Sequence, residues 1–248
     1  MNTPAVVPPP EQPDDISAHV PVQEPEPVRG VFGAVDALLR EPTRVMHHLT
    51  TSTSAQLTAT LLFIALAAFL LYGVVAGSFS GGTQLWAAPV KIAGGLLFAA
   101  LICFPSLFIF GCLAGVYAGM REMAGIVAGL LAIMAVLLIG FAPIAWVFSQ
   151  STESVAAMGA LHVTFGLVAF FFGTRFVSAS FDRFRAESHA GKRVWMIIFL
   201  LVVLQMTTAL RPILDTAPTL LPTEKKFFIA HWTDCINAPT KAETGDKK

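Results

Sequence analysis

Charge is what this chain has least of. Lys, Arg, Asp and Glu make up 13% of its 248 residues, 16 of each sign, with no net charge; a soluble domain carries about 25%. So few charges cannot cover the surface of a water-soluble globule, and their balance leaves no basic footprint for nucleic acid. Cysteine is scarcer still. Cys103, Cys112 and Cys235 are too few and too scattered for a disulfide framework. The opening stretch, "MNTPAVVPPPEQPDDISAHVPVQEPEPVRG", lacks the basic start and apolar core of a secretory signal. Catalytic constellations are missing too. No Ser-His-Asp set or phosphate-binding Gly loop is visible, and "GSFSGG" has no following Lys. His47 and His48 diverge on a helix, and His231 with Cys235 is a lone couple short of the ligands a closed metal site needs. An enzyme is therefore not expected, nor a cofactor, although bound lipid is.

What is present is apolar sequence, 55% of the chain. It falls into five long runs, at about 56–78, 87–114, 124–148, 155–178 and 194–214. Each is near the ~20 residues that cross a hydrocarbon core. The second is too long for a straight upright span, and tilt or a kink at Pro105 absorbs the excess. A β-barrel needs short alternating segments; these runs are continuous and rich in Leu, Ala, Phe and Gly. Helices are the other structure that satisfies the backbone in lipid. The expectation is an all-α polytopic transmembrane helical bundle over residues 51–215.

Basic residues set its orientation. Arg40 and Arg44 precede the first span, Arg121 lies between the second and third, and Arg175, Arg183, Arg185, Lys192 and Arg193 surround the loop between the fourth and fifth. The opposite loops, "FSGGTQLW" and "SQSTES", carry only Glu153. This asymmetry predicts a cytoplasmic N-terminus and a C-terminus outside. Arg40, Arg44, Arg183, Arg185, Lys192 and Arg193 are the candidates for lipid head groups. On the far side, Lys91 and Arg211 are expected to snorkel from helix ends. The Arg121-Glu122 pair reads as a hairpin at the water boundary, since a charged pair in mid-bilayer is costly.

Glycine spacing is the second pattern. Gly111, Gly115 and Gly119 recur every fourth residue, as do Gly125 with Gly129 and Gly73 with Gly77. Small residues let helix backbones approach where lipid supplies no hydrophobic drive, so these seven are read as packing surfaces, against neighbouring spans or another subunit. The polar candidates inside the spans are His162 and Gln205, read as interhelical hydrogen-bonding groups. A His can also ligate a tetrapyrrole. No acid lies deep in any span, which leaves almost no raw material for a proton or sodium relay.

The flanks differ in kind. Residues 1–28 are rich in Pro and acids and are expected to be a disordered, partly polyproline leader. Residues 29–50 place Val31, Phe32, Val35, Leu38 and Leu39 near one helical face and Asp36, Arg40 and Glu41 towards the other, which suits an amphipathic helix at the cytoplasmic interface; Pro42 ends or kinks it. In the tail, 216–248, Thr223 is a candidate N-cap for a short amphipathic helix with Phe227, Phe228 and Trp232.

A disordered N-terminal leader, five spans and a short outer tail resemble the Yip family of Rab/Ypt-interacting membrane proteins and their bacterial relatives. "ALLREPTRVMHHLTTS" resembles the helix-Pro-helix segment of the bacterial members, and "LLYGVVAGSFSGG" with "ICFPSLFIFGCLAG" their first two spans. The resemblance runs from Leu38 to Ile213 and implies membrane trafficking and partner binding in eukaryotes; no functional residue is carried over. The Ala- and Gly-rich composition looks bacterial, which places the chain in an inner membrane. The function expected is a non-catalytic membrane scaffold, adaptor or accessory subunit, partnered by lipids and other membrane subunits. A transporter or channel component, with a cavity near Pro105, Pro143 and His162, is the alternative, because broken helices can line substrate sites. A pigment- or haem-bearing subunit through His162 is third.

Overall fold

A computed structural model of the chain describes residues 28, 30–49, 54–79, 82, 84–152, 154–184 and 190–209. The described residues form seven α-helices: α1 (Gly30–Arg40), α2 (Pro42–Leu49), α3 (Ser54–Ser78), α4 (Gln84–Leu113), α5 (Met120–Ser151), α6 (Val155–Arg183) and α7 (Ala190–Ala209). Five of them, α3 to α7, are long and apolar enough to cross a membrane. The described residues hold helices and turns and no strand, and the chain is an integral membrane protein.

The expected spans correspond one to one with these helices, with shifted ends. The third is longer than its apolar run, because the helix takes in Arg121 and Glu122 at one end and polar residues to Ser151 at the other. The fifth begins earlier, at Ala190, so Lys192 and Arg193 belong to the helix. The predicted single amphipathic helix is two: Glu41 is non-helical and Pro42 opens α2, as its fixed φ favours at a first helical position. The leader through residue 27, Arg185, Arg211 and the tail with Thr223, Phe227, Phe228, His231, Trp232 and Cys235 lie outside the described residues.

Neighbouring helices in the bundle run in the order α7, α4, α3, α5, α6, with α6 and α7 touching lightly. Short connections make chain-consecutive spans antiparallel, which leaves α3 and α5 parallel at the centre. On α3 the buried residues Leu57, Leu61, Ile64, Ala65, Ala68, Phe69 and Tyr72 follow the three- and four-residue steps of a single stripe. On α5 every residue from Gly125 to Ala135 is buried, the mark of a helix enclosed on all sides. Of the apolar windows that define the spans, 67% of the α5 residues are buried and 17% of the α7 residues. The first is the axis of the bundle and the second its edge. α1 and α2 pack against α3 and α5 at the end where Arg121 opens α5, hereafter the arginine end.

Candidate functional site

Four residues of the spans, Tyr72, Lys91, Pro143 and His162, lie at one depth. Tyr72 precedes the end of α3, Lys91 follows the start of α4, Pro143 precedes the end of α5, and His162 follows the start of α6, each by about two turns. The alternating directions bring all four to the same end of the bundle, opposite the arginines. Contacts between helices confirm the register. Gly73 meets Pro89, and Phe141 stacks on Phe165 with centroids 4.7 Å apart. Gln205, half-buried on α7, lies towards the same end.

At the middle of this layer the Tyr72 hydroxyl and His162 Nδ1 are hydrogen-bonded at 2.6 Å, the rings edge to face with centroids 5.5 Å apart. His162 Nε2 is also buried and has no hydrogen-bond partner among the described residues. Proton accounting assigns the tautomer. If Nδ1–H donated to Tyr72, both the phenol proton and the Nε2 lone pair would be left unmet. If Tyr72 donates, the one unmet group is Nε2–H. With nothing further bound at Nε2, this accounting makes Tyr72 the donor and His162 the Nε2–H tautomer. A donor buried without an acceptor costs about 1–3 kcal/mol. In this state His162 offers a donor, and a metal or haem iron needs a lone pair; ligation would require the proton to move to Nδ1 and Tyr72 to turn acceptor. On α5, Pro143 has no N–H and so cannot bond the carbonyl of Ile139 one turn before it.

Lys91 corrects an expectation. It does not snorkel; it is enclosed, at 5% exposure, because it stands on the face of α4 turned into the bundle, while Val90 beside it is exposed. Lys192 is a second correction. It is buried between α6 and α7, donating to Asp182 Oδ1 at 2.8 Å and to the Ser178 carbonyl at 3.4 Å, so it joins two helices and does not face head groups. Of the other basic candidates, Arg183 and Arg193 are exposed. Arg40 pairs with Asp36 at 2.9 Å, and Arg44, less exposed, with Glu41 at 3.7 Å.

The seven glycines divide. Gly73, Gly111, Gly125 and Gly129 are packing positions: a Cβ on them would run into Pro89, Met123, Leu49 and Phe176 respectively, each on another helix. Gly77 is buried on α3. Gly115 and Gly119 are corrections, since α4 ends at Leu113 and they share no helical face with Gly111. Gly115 has φ +74°, and the Val116 amide reaches back to the Gly111 carbonyl at 3.0 Å, a glycine-terminated helix end. Gly119 is the extended residue before α5.

Sequence reasoning missed two groups. Tyr72 is one of only two tyrosines, and a phenol two turns inside a span needs a partner. Trp195 is fully buried, its indole N–H donates to the Cys103 carbonyl at 2.9 Å, and its ring stacks on Phe199 at 5.1 Å. Among the described residues, no group of three or more His, Cys, Asp or Glu could hold a metal ion.

No family model matches the chain. No curated protein and no solved structure matches it either. The likeness to the Yip family is carried by the quoted residues alone.

Proposed function

We propose that this chain is a non-catalytic membrane scaffold or accessory subunit, in a bacterial inner membrane with its arginine end in the cytoplasm, and a Yip-like protein. The observation that carries the reading is the interior of α5. Its unbroken buried run from Gly125 to Ala135 is met by Leu49, Thr58 and Phe176 at the glycines, so the arginine-end half of the axis is filled with side chains. A conduit running the full length of that axis would need polar lining there, and every residue of the run is apolar. Large apolar side chains instead face outwards, among them Phe63, Leu101, Phe171 and Ile197, on the faces where lipid and partner helices would bind. The test is purification at native expression in mild detergent. Co-purifying membrane chains in fixed stoichiometry support the reading. Recovery of the chain alone, with substrate flux after reconstitution into liposomes, overturns it.

The polar layer favours a second reading, a transport component with a half-channel open to the far end, lined by Tyr72, Lys91, His162 and the proline-freed backbone of α5. Flux that disappears in His162→Leu and survives in a variant of the arginine end is its signature. A haem-bearing role for His162 is the third reading; Nε2 would be the ligating atom, with Nδ1–H donating to the Tyr72 oxygen, and a visible absorption spectrum of the purified protein tests it. Lipid is the bound molecule we expect.

A further inference from the structure

We propose that α1 lies in the membrane surface at the arginine end, held there by insertion of Val31, Phe32 and Leu39 among acyl chains and not by attraction to anionic head groups. This holds whether the bundle is a scaffold or a transporter. At 100° per residue the helix divides into three sectors about 120° apart. Ala34, Ala37 and Leu38 are buried against the bundle. Asp36 and Arg40, paired with each other, occupy the second sector and are exposed. The third is apolar and uncovered: Phe32 is 92% exposed, Leu39 52% and Val31 41%. A helix between water and the rest of a folded protein needs two kinds of face. Three kinds are what a helix needs where protein, water and hydrocarbon meet.

Depth agrees. Leu49 of α2 reaches Gly125, in the second turn of α5, so the α1–α2 pair sits beside the turns that carry the exposed Arg121. Leu113, Tyr117 and Met120 are exposed at the same end of the bundle, so the spans also present large apolar side chains at the depth of α1. Charge argues against head-group attraction. Asp36 with Arg40 and Glu41 with Arg44 cancel, leaving residues 30–49 with no formal net charge when His47 and His48 are neutral. A polybasic segment holds the surface through charge; this one has none to spare.

The experiment is a nitroxide scan of positions 31–40 in the full-length chain, in a Cys103→Ala, Cys112→Ala, Cys235→Ser background, reconstituted in phosphatidylcholine vesicles with and without anionic lipid. Accessibility to oxygen marks hydrocarbon, and accessibility to a soluble nickel chelate marks water. The expected result is oxygen contact at 31, 32 and 39, nickel contact at 36 and 40, and neither at 34, 37 and 38, with the oxygen-to-nickel ratio at 32 severalfold above that at 36 in both lipid mixtures. Nickel contact at 32 and 39 overturns the proposal. So does shielding of both positions from both reagents, which would mean that a second copy covers the flank, and so does a pattern that forms only with anionic lipid. A photoreactive phenylalanine analogue at position 32 of the otherwise unaltered chain gives an independent reading. A lipid adduct is expected; a protein adduct, or none above the level at position 36, overturns it.

Discussion

The two halves of the bundle are built on different chemistry. Towards the arginine end much of the interior is apolar side chain against glycine, as at Gly125 with Leu49 and Gly129 with Phe176, and the polar groups buried there have partners, Ser180 on the Phe176 carbonyl and Lys192 on Asp182. Towards the far end the helices enclose a phenol, an imidazole and a lysine, and α5 carries Pro143 within it. The first half is held by close contact, which depends on shape. The second contains groups whose presence costs stability unless each finds a partner. A protein that needed only rigidity could have used the first chemistry throughout, so the polar layer is where function is to be sought.

That contrast can be broken from either side, and the expected effects fall in a definite order. Gly73→Ala gives the largest: its new methyl meets the backbone of Pro89, which cannot yield as a flexible side chain would. A loss of about 3 kcal/mol or more, the upper part of the overpacking range, is expected in reversible unfolding from mixed micelles. Tyr72→Phe comes next. It removes the donor to His162 Nδ1 and leaves a second unmet group beside Nε2, for a loss of about 2 kcal/mol. In a double-mutant cycle with His162→Leu most of that loss vanishes; additive losses would show that the two side chains act separately. Lys192→Met keeps the apolar stem and removes the charge. Asp182 is more than half exposed and regains water, so the loss is about 1 kcal/mol or less, discounted for that exposure. Arg40→Ala is smallest, a few tenths of a kcal/mol, as for other exposed i, i+4 pairs, roughly 0.2–0.5 kcal/mol. Its membrane docking, read by the same nitroxide scan, is unchanged.

The spans were legible because hydrocarbon thickness sets helix length, and only long apolar runs meet it. The break at Pro42 was legible because the proline ring decides it locally. The glycine pattern was half legible. A four-residue spacing continued from Gly111 through Gly115 and Gly119 whether or not the helix did, and spacing alone carries no signal for where a helix stops. Lys91 and Lys192 were misplaced for a related reason. Distance along the chain puts both near helix ends, while the partner of Lys192 comes from α6, folded back across the turn. The Tyr72–His162 bond joins residues 90 apart, and no local pattern announces such a pair. Composition showed that His162 needed a partner; the fold supplied it.

The position of α7 has a consequence for biogenesis. It leans mainly on α4, with Trp195 bonded to the Cys103 carbonyl, and touches α6 lightly. The axis made by α3 and α5, and the α4 and α6 helices beside it, precede α7 in the chain. A ribosome feeding this protein into a translocon would therefore deliver α7 to four helices able to close around one another before it emerges. The indole of Trp195 would then act as a latch, engaged after the rest has assembled.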